Sequence, residues 1–142
     1  MIELRQVLIN EKADLFSLHK RSLGSYIDRV FGWDEEQQVS LFDKEFREEN
    51  CYWIVKDGER VGAIRYVENE QAIYITIIEI EPEFQSRGIG KKVIEDLYKK
   101  SKKDLELQVF KINSRAKSFY EKLGFIQYGE TDCHFKMRMP HS

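Results

Sequence analysis

An α/β fold, a mixed sheet of seven strands covered by helices, is the class this sequence predicts, and three observations predict it. The chain has 142 residues, which suits one domain over residues 1–142 and is too short for two ordinary cores. Apolar residues recur at helical spacing up to about residue 46, then alternate, then switch back and forth between the two periods. Turn signals fall where the period changes: Asp57-Gly58, Pro82, the glycines at 88 and 90, and Gly124. The resulting order is β-α-α-β-β-β-α-β-α-β-β.

Ile2, Leu4 and Gln6 alternate as a short first strand. From Lys12 to Phe31, the residues Phe16, Leu23, Ile27 and Val30 form the apolar stripe of a helix, with Gly24 a weak point inside it. Asp34 followed by Gln37 marks the next helix start, because a short side-chain acceptor caps free N–H groups. Val39, Phe42 and Phe46 are its expected buried stripe. Cys51 to Lys56 and Arg60 to Val67 read as strands joined by Asp57-Gly58, a hairpin signal because glycine takes positive φ without steric cost. Ala72 to Glu81 is a long isoleucine-rich strand stopped by Pro82. A glycine-bearing turn, Gln85 to Gly90, leads into a helix carrying Val93, Ile94, Leu97 and Tyr98 on one face. Leu105, Leu107 and Val109 alternate as a strand. Ala116, Phe119, Tyr120 and Leu123 then stand at i, i+3, i+4 and i+7 of a helix ended by Gly124. Phe125 to Tyr128 and Cys133 to Met139 close the sheet, with His134 opposite the Cys133/Phe135 face as a solvated edge residue or a pocket base.

Composition narrows the function. At 42% hydrophobic and 34% charged, with 8 Gly and 2 Pro, the chain is neither disordered nor collagen-like. Its longest apolar stretch, Ala72 to Ile80, is broken by Thr76 and Glu79 and falls short of a bilayer span, so no membrane partner is expected. The N-terminus lacks a basic segment followed by an apolar one, so no signal peptide is read. Cys51 and Cys133 have no CxxC spacing and are read as reduced core thiols of a cytoplasmic protein, with no metal site. A net charge of −2 gives no general attraction to nucleic acid. Charge is nevertheless segregated: Asp34 to Glu49 holds seven acids against two bases, and Arg87 to Lys103 seven bases against two acids. Solvated helix faces are the ordinary reading of both runs.

Gln85-Ser86-Arg87-Gly88-Ile89-Gly90 lies between a strand and a helix, where free N–H groups and the helix dipole favour a phosphate or pyrophosphate. It is no Walker A loop, since Lys92 replaces Ser or Thr after Gly90-Lys91, and it lacks the third glycine of a dinucleotide fingerprint. Downstream, Asn113, Ala116, Phe119-Tyr120 and Gly124-Phe125 make an NxxAxxFYxxxGF pattern on the last helix. With the preceding turn, this closely resembles the GNAT superfamily of acyl-CoA-dependent N-acetyltransferases. The specific motifs cover residues 78–125, and the element order agrees over nearly the whole chain.

The resemblance implies a mostly antiparallel sheet with helices on both faces, and acetyl-CoA as co-substrate. The backbone of Ile78, Glu79 and Ile80, on a strand splayed from its neighbour, would bond the pantetheine and acetyl carbonyl. Gln85, Ser86, Arg87, Gly88, Ile89, Gly90 and Lys91 would hold the pyrophosphate. Asn113 would bond the cofactor arm, Tyr120 would protonate the thioester sulfur, and Arg115, Lys117 or Lys122 would meet the nucleotide phosphates. Each has a structural rival: Asn113 is a good helix N-cap, and Tyr120 sits on an apolar stripe. The acceptor side is expected at the join of the first helices, where Tyr26, Trp33 and Asp34 offer an aromatic face beside a carboxylate, together with His134. Asp34 is equally a cap.

Amide formation needs an amine stripped of its proton, an oxyanion stabilised by N–H groups near Ile80, and a protonated leaving thiolate. The family's usual route is direct attack with both substrates bound, so neither cysteine is required as nucleophile. Glu79, Glu81, His134 and a water chain are the candidate bases, with Glu79 foremost because it stands between Ile78 and Ile80. Strict alternation places Glu79 and Glu81 on the face of Ile75 and Ile77 unless a bulge shifts the phase. Two other readings stay open: a non-catalytic acyl-CoA sensor, and a nucleic-acid surface on the lysine-rich helix, against which the lack of interleaved aromatics counts. The acceptor amine, small molecule or peptide, is not named by the sequence, and a homodimer is compatible with it.

Overall fold

The computed structural model describes residues 1–141. Its elements follow the expected order: β1 (Ile2–Gln6), α1 (Lys12–Phe31), α2 (Glu35–Glu45), β2 (Cys51–Lys56), β3 (Glu59–Glu68), β4 (Ala72–Ile80), α3 (Ile89–Ser101), β5 (Asp104–Phe110), α4 (Ser114–Leu123), β6 (Ile126–Glu130) and β7 (His134–Met139). Short 3₁₀ turns precede α1, β2 and the 85–90 turn. The sheet runs β1-β2-β3-β4-β5-β7-β6, antiparallel throughout except for the β4–β5 pair. The hairpin between β2 and β3 turns through Asp57 at φ 52° and Gly58 at φ 84°, the doubled positive φ that matches strand twist.

Side-chain alternation sends two apolar sets to opposite faces. On one face Ile54, Ile64, Ile73, Ile75, Leu105, Leu107 and Met137 meet Val93 and Ile94 of α3, with α4 packed alongside. On the other, Trp53, Val55 and Ala63 meet Leu15 and Leu18 of α1 and Phe42 of α2. Each fully buried aliphatic side chain contributes roughly 1.5–3 kcal/mol, so both layers hold their helices firmly. The two faces differ in polarity, because Arg65 and Glu79 are buried on the α1/α2 side.

The structure departs from three sequence expectations. The buried stripe of α1 is Leu15, Leu18 and Ile27, with Phe16 only half-buried beside it and Leu23 turned to a cavity. That helix serves a core at one end and an open space further along, so no single stripe describes it. Val39 is exposed, leaving Phe42 and Phe46 to anchor α2. In β4, Arg65 and Tyr66 stand opposite Ile77 and Ile75, so Thr76 is an extra residue and the strand bulges. Past the bulge Ile78 and Ile80 continue on the face of Ile73 and Ile75, and Glu79 turns to the face of Ala63, its cross-strand partner.

Candidate active site

The β4–β5 ladder pairs Ala72–Ile75 with Asp104–Leu107 and then stops. Beyond it β4 stays with β3 and β5 stays with β7, so the two central strands part. From Thr76 to Ile80 the β4 backbone therefore has no partner strand on its open edge. The wedge is a cavity of about 480 Å³ walled by Tyr74 to Ile78 and Ile80 on one side and Leu107 to Phe110 on the other. It runs from the start of α3 to the middle of α1.

At the α3 end, Ser86 at φ 64° and Gly88 at φ 80° turn the chain sharply into the helix. No side chain caps α3, and the N–H groups of Gly88 to Lys91 find no protein acceptor among the described residues. A Cβ at Gly88 would meet nothing within 4 Å, so the space in front of the turn is open. Gln85 Nε2 donates to the Ile80 carbonyl at 3.0 Å, tying the turn to the end of β4. Arg115 of α4 donates to Ser86 Oγ. Gln85, Ser86, Gly88, Ile89, Gly90, Lys91 and Arg115 line the cavity. Arg87 instead lies over the Phe84 ring, and Lys117 over Phe135 at 4.2 Å. Gly90 has a packing role as well: its missing Cβ would sit 3.5 Å from Phe119, which brings α3 against α4. Free N–H groups, a helix dipole and two cations suit a pyrophosphate.

Asn113 caps α4, accepting from the Ala116 N–H at 3.1 Å, and also faces the cavity, so both sequence readings hold in space. Tyr120 stands midway along the wall, wedged edge-on between Phe119 and Phe125. Burial pushes its phenol up to about 12, which keeps the hydroxyl protonated and able to donate at any ordinary pH.

The opposite end is built from side chains. His19, Ser22 and Tyr26 of α1 face Phe110 and His134 across the opening. The His134 ring stacks on Phe110 with centroids 4.5 Å apart, and burial holds its imidazole below the ordinary value. His134 is thus brought into the cavity wall rather than left on a solvated edge. Glu79 is 1% exposed and does not line the cavity. Its Oε2 lies 2.8 Å from His19 Nδ1, and its Oε1 has no partner. Two Arg21 nitrogens donate to Glu81, Nε at 3.0 Å and Nη2 at 2.8 Å.

Trp33 and Asp34 are not brought to the cavity. Asp34 Oδ1 caps α2 through the Gln37 N–H at 3.1 Å. Lys20 of the same chain lies 5.6 Å over the Trp33 ring and donates to Glu35 at 2.7 Å, while Trp33 Nε1 donates to the same carboxylate. The aromatic face beside a carboxylate is already filled by the protein's own cation. His19 was not anticipated. Lying between Phe16 and Leu23 it carries no local mark, and only the bulge in β4, 60 residues on, gives it a partner.

The described residues form a seven-stranded sheet split between the parallel strands β4 and β5, with a bare helix start at one side and a half-buried tyrosine within, a fold shared with N-acetyltransferases. The profile of the acetyltransferase (GNAT) family matches residues 13–125. The chain belongs to that family, and its general chemistry is acetyl transfer. Solved structures agree in fold. PaiA N-acetyltransferase of Thermoplasma acidophilum, in complex with coenzyme A, is 21% identical with TM-score 0.77 over 99% of both chains. The ribosomal-protein-S18-alanine N-acetyltransferase of Escherichia coli is 20% identical with TM-score 0.70, over 100% of this chain and 95% of the other. PseH of Campylobacter jejuni, in complex with acetyl coenzyme A, is 19% identical with TM-score 0.67 over 100% of both. No helix among the described residues is long and apolar enough to cross a membrane.

Proposed function

We propose that the protein transfers the acetyl group of acetyl-CoA to a primary amine by direct attack while both substrates are bound. The observation that carries this reading is continuity: the bare start of α3, the unpaired edge of β4 and Tyr120 all border one cavity. Gly88, Ile89, Gly90 and Lys91, with Ser86 and Gln85 shaping the turn, would hold the pyrophosphate, and Arg115 would add charge. The backbone of Ile78, Glu79 and Ile80 would bind the pantetheine arm and polarise the thioester carbonyl, with Asn113 opposite. Tyr120 would protonate sulfur as the C–S bond breaks.

Tyr26 and His134 would flank the acceptor, whose class is a small-molecule or peptide amine. Glu79 belongs to the proton-accepting side of the reaction. The protein would work in the cytoplasm with both thiols reduced, in keeping with free Cys51 and Cys133. The test is acetyl-CoA consumption against a panel of amines (benzylamine, putrescine, free amino acids, and peptides beginning with alanine or glycine), read by thiol release. Release with at least one primary amine is expected. Tight binding of acetyl-CoA without release for any amine would favour a sensor instead.

A further inference from the structure

We infer that His19 takes the proton from the acceptor amine, and that Glu79 is a positioning residue that acts through it; the inference rests on the transferase reading above. Three features lead there. Glu79 cannot touch an amine in the cavity, being 1% exposed and absent from its wall. His19 can, since its side chain keeps 13% exposure and lines the cavity beside Ser22 and Tyr26. The two are joined at 2.8 Å through Nδ1, leaving Nε2 as the ring nitrogen free of Glu79.

With Glu79 as a carboxylate, which only accepts, Nδ1 would carry the hydrogen and Nε2 would keep a lone pair. This is the logic by which a buried acid fixes the tautomer of a general-base histidine. The ring is held laterally by Phe16 and Phe42, with centroids 6.5 and 6.2 Å away. The charged and titratable groups around it are few. β4 presents Glu79, and α2 presents only the Phe42 ring. β3 presents Arg65, 5.2 Å over that same ring, while Tyr120 and His134 line the same cavity as His19. Arg65 makes no ion pair with Glu79, and Glu79 Oε1 has no partner at all. A buried carboxylate so poorly matched gains most when its one partner becomes a cation, so the imidazolium that forms on proton transfer is stabilised where it stands. His134 lacks this arrangement, its Nδ1 facing Cys133 Sγ and Thr131 Oγ1.

The protons balance. The amine enters as an ammonium and gives one proton to His19 Nε2. The neutral amine attacks, the C–N bond forms and the C–S bond breaks. Sulfur receives a proton from Tyr120, which regains one from the amide-forming nitrogen. His19 then returns its proton to solvent.

The test uses the whole protein, acetyl-CoA and the best amine of the panel. His19→Asn places an amide nitrogen where Nδ1 was, keeping the donor to Glu79 while removing the base. Its melting temperature and acetyl-CoA affinity should match the parent, kcat/KM should fall by on the order of a hundred-fold, and the acidic limb of the pH profile should vanish. Glu79→Gln should give a smaller loss with the limb moved to lower pH, because the charge that favours the imidazolium is gone. Ring nitrogen-15 shifts, assigned among three histidines, should show neutral His19 protonated on Nδ1 whether or not an acceptor is present. An Nε2–H tautomer, or a folded His19→Asn protein with its limb in place and kcat/KM within about three-fold, overturns the inference alone. Absence of turnover in the parent protein with every amine overturns the transferase reading first, and this one with it.

Discussion

The two ends of the cavity are made of different material. At the α3 end the groups that border the cavity are backbone: bare N–H groups released by a turn with two positive φ values, and a strand edge that has lost its neighbour. At the α1 end they are side chains, His19, Tyr26, Phe110 and His134, brought from three elements remote in sequence. Backbone presents the same groups whatever surrounds it, which suits a ligand part that never varies. Side chains can be exchanged singly, which suits the acceptor. Tyr120 stands between the ends and should belong functionally to neither.

That position carries the largest predicted effect. Tyr120→Phe keeps the ring packed against Phe119 and Phe125 and removes only the hydroxyl. It should lower kcat by roughly a hundred-fold with the acetyl-CoA dissociation constant unchanged. The pH dependence sharpens the point. On the proposed reading the phenol acts in its protonated form, and burial raises it to about 12, so activity lost by its ionisation should appear only as pH climbs toward that value. Steady-state rates from pH 7 to 10 should show no basic limb that Tyr120→Phe removes. A kcat within about two-fold of the parent would return Tyr120 to the core.

The next effect separates the ends. Gly88 takes φ 80° with nothing within 4 Å of a built Cβ, so Gly88→Val creates no clash inside the protein. It strains the turn by about 1–2 kcal/mol and puts a branched side chain where the proposed pyrophosphate would approach. Acetyl-CoA affinity by calorimetry should weaken by about ten-fold if most of that strain acts on the turn, while the KM of the acceptor stays put. Equal losses for both substrates would mean that the ends are not independent.

The same contrast explains what the sequence could reveal. Gly88, Asn113 and Gly124 are local devices, and each was legible because a turn or cap needs its particular residue type within a few positions. The hairpin at Asp57-Gly58 was legible likewise, whereas the splay of β4 was expected only from the family resemblance. Glu79 was picked out for its place in β4, but its face was not, since the bulge at Thr76 depends on how β3 pairs with it. His19 was invisible because its meaning comes from a contact across 60 residues. Trp33 and Asp34 show the opposite case, a local signal that the structure places outside the cavity. Their chemistry suits a cation, yet Lys20, one helical turn before Gly24 and 13 positions before Trp33, had already supplied one.

The smallest predicted effect concerns that last pair and tests how far the acceptor end extends. Asp34 is exposed, caps α2 through the Gln37 N–H and lies outside the cavity wall. Asparagine caps about as well as aspartate, so Asp34→Asn should leave the melting temperature nearly unchanged, whereas Asp34→Ala should cost about 1 kcal/mol. Because the neighbouring Trp33 face and the Glu35 carboxylate are engaged by Lys20, neither variant should raise the acceptor KM beyond about two-fold, at a level where surface charge changes ordinarily fall. A several-fold rise in acceptor KM for Asp34→Asn, with acetyl-CoA KM and stability unchanged, would show that a cationic acceptor passes over the α1–α2 join and displaces Lys20 on its way in. The side-chain end of the site would then reach one helix beyond His19 and Tyr26, and Lys20→Ala should lower the acceptor KM by clearing the same surface.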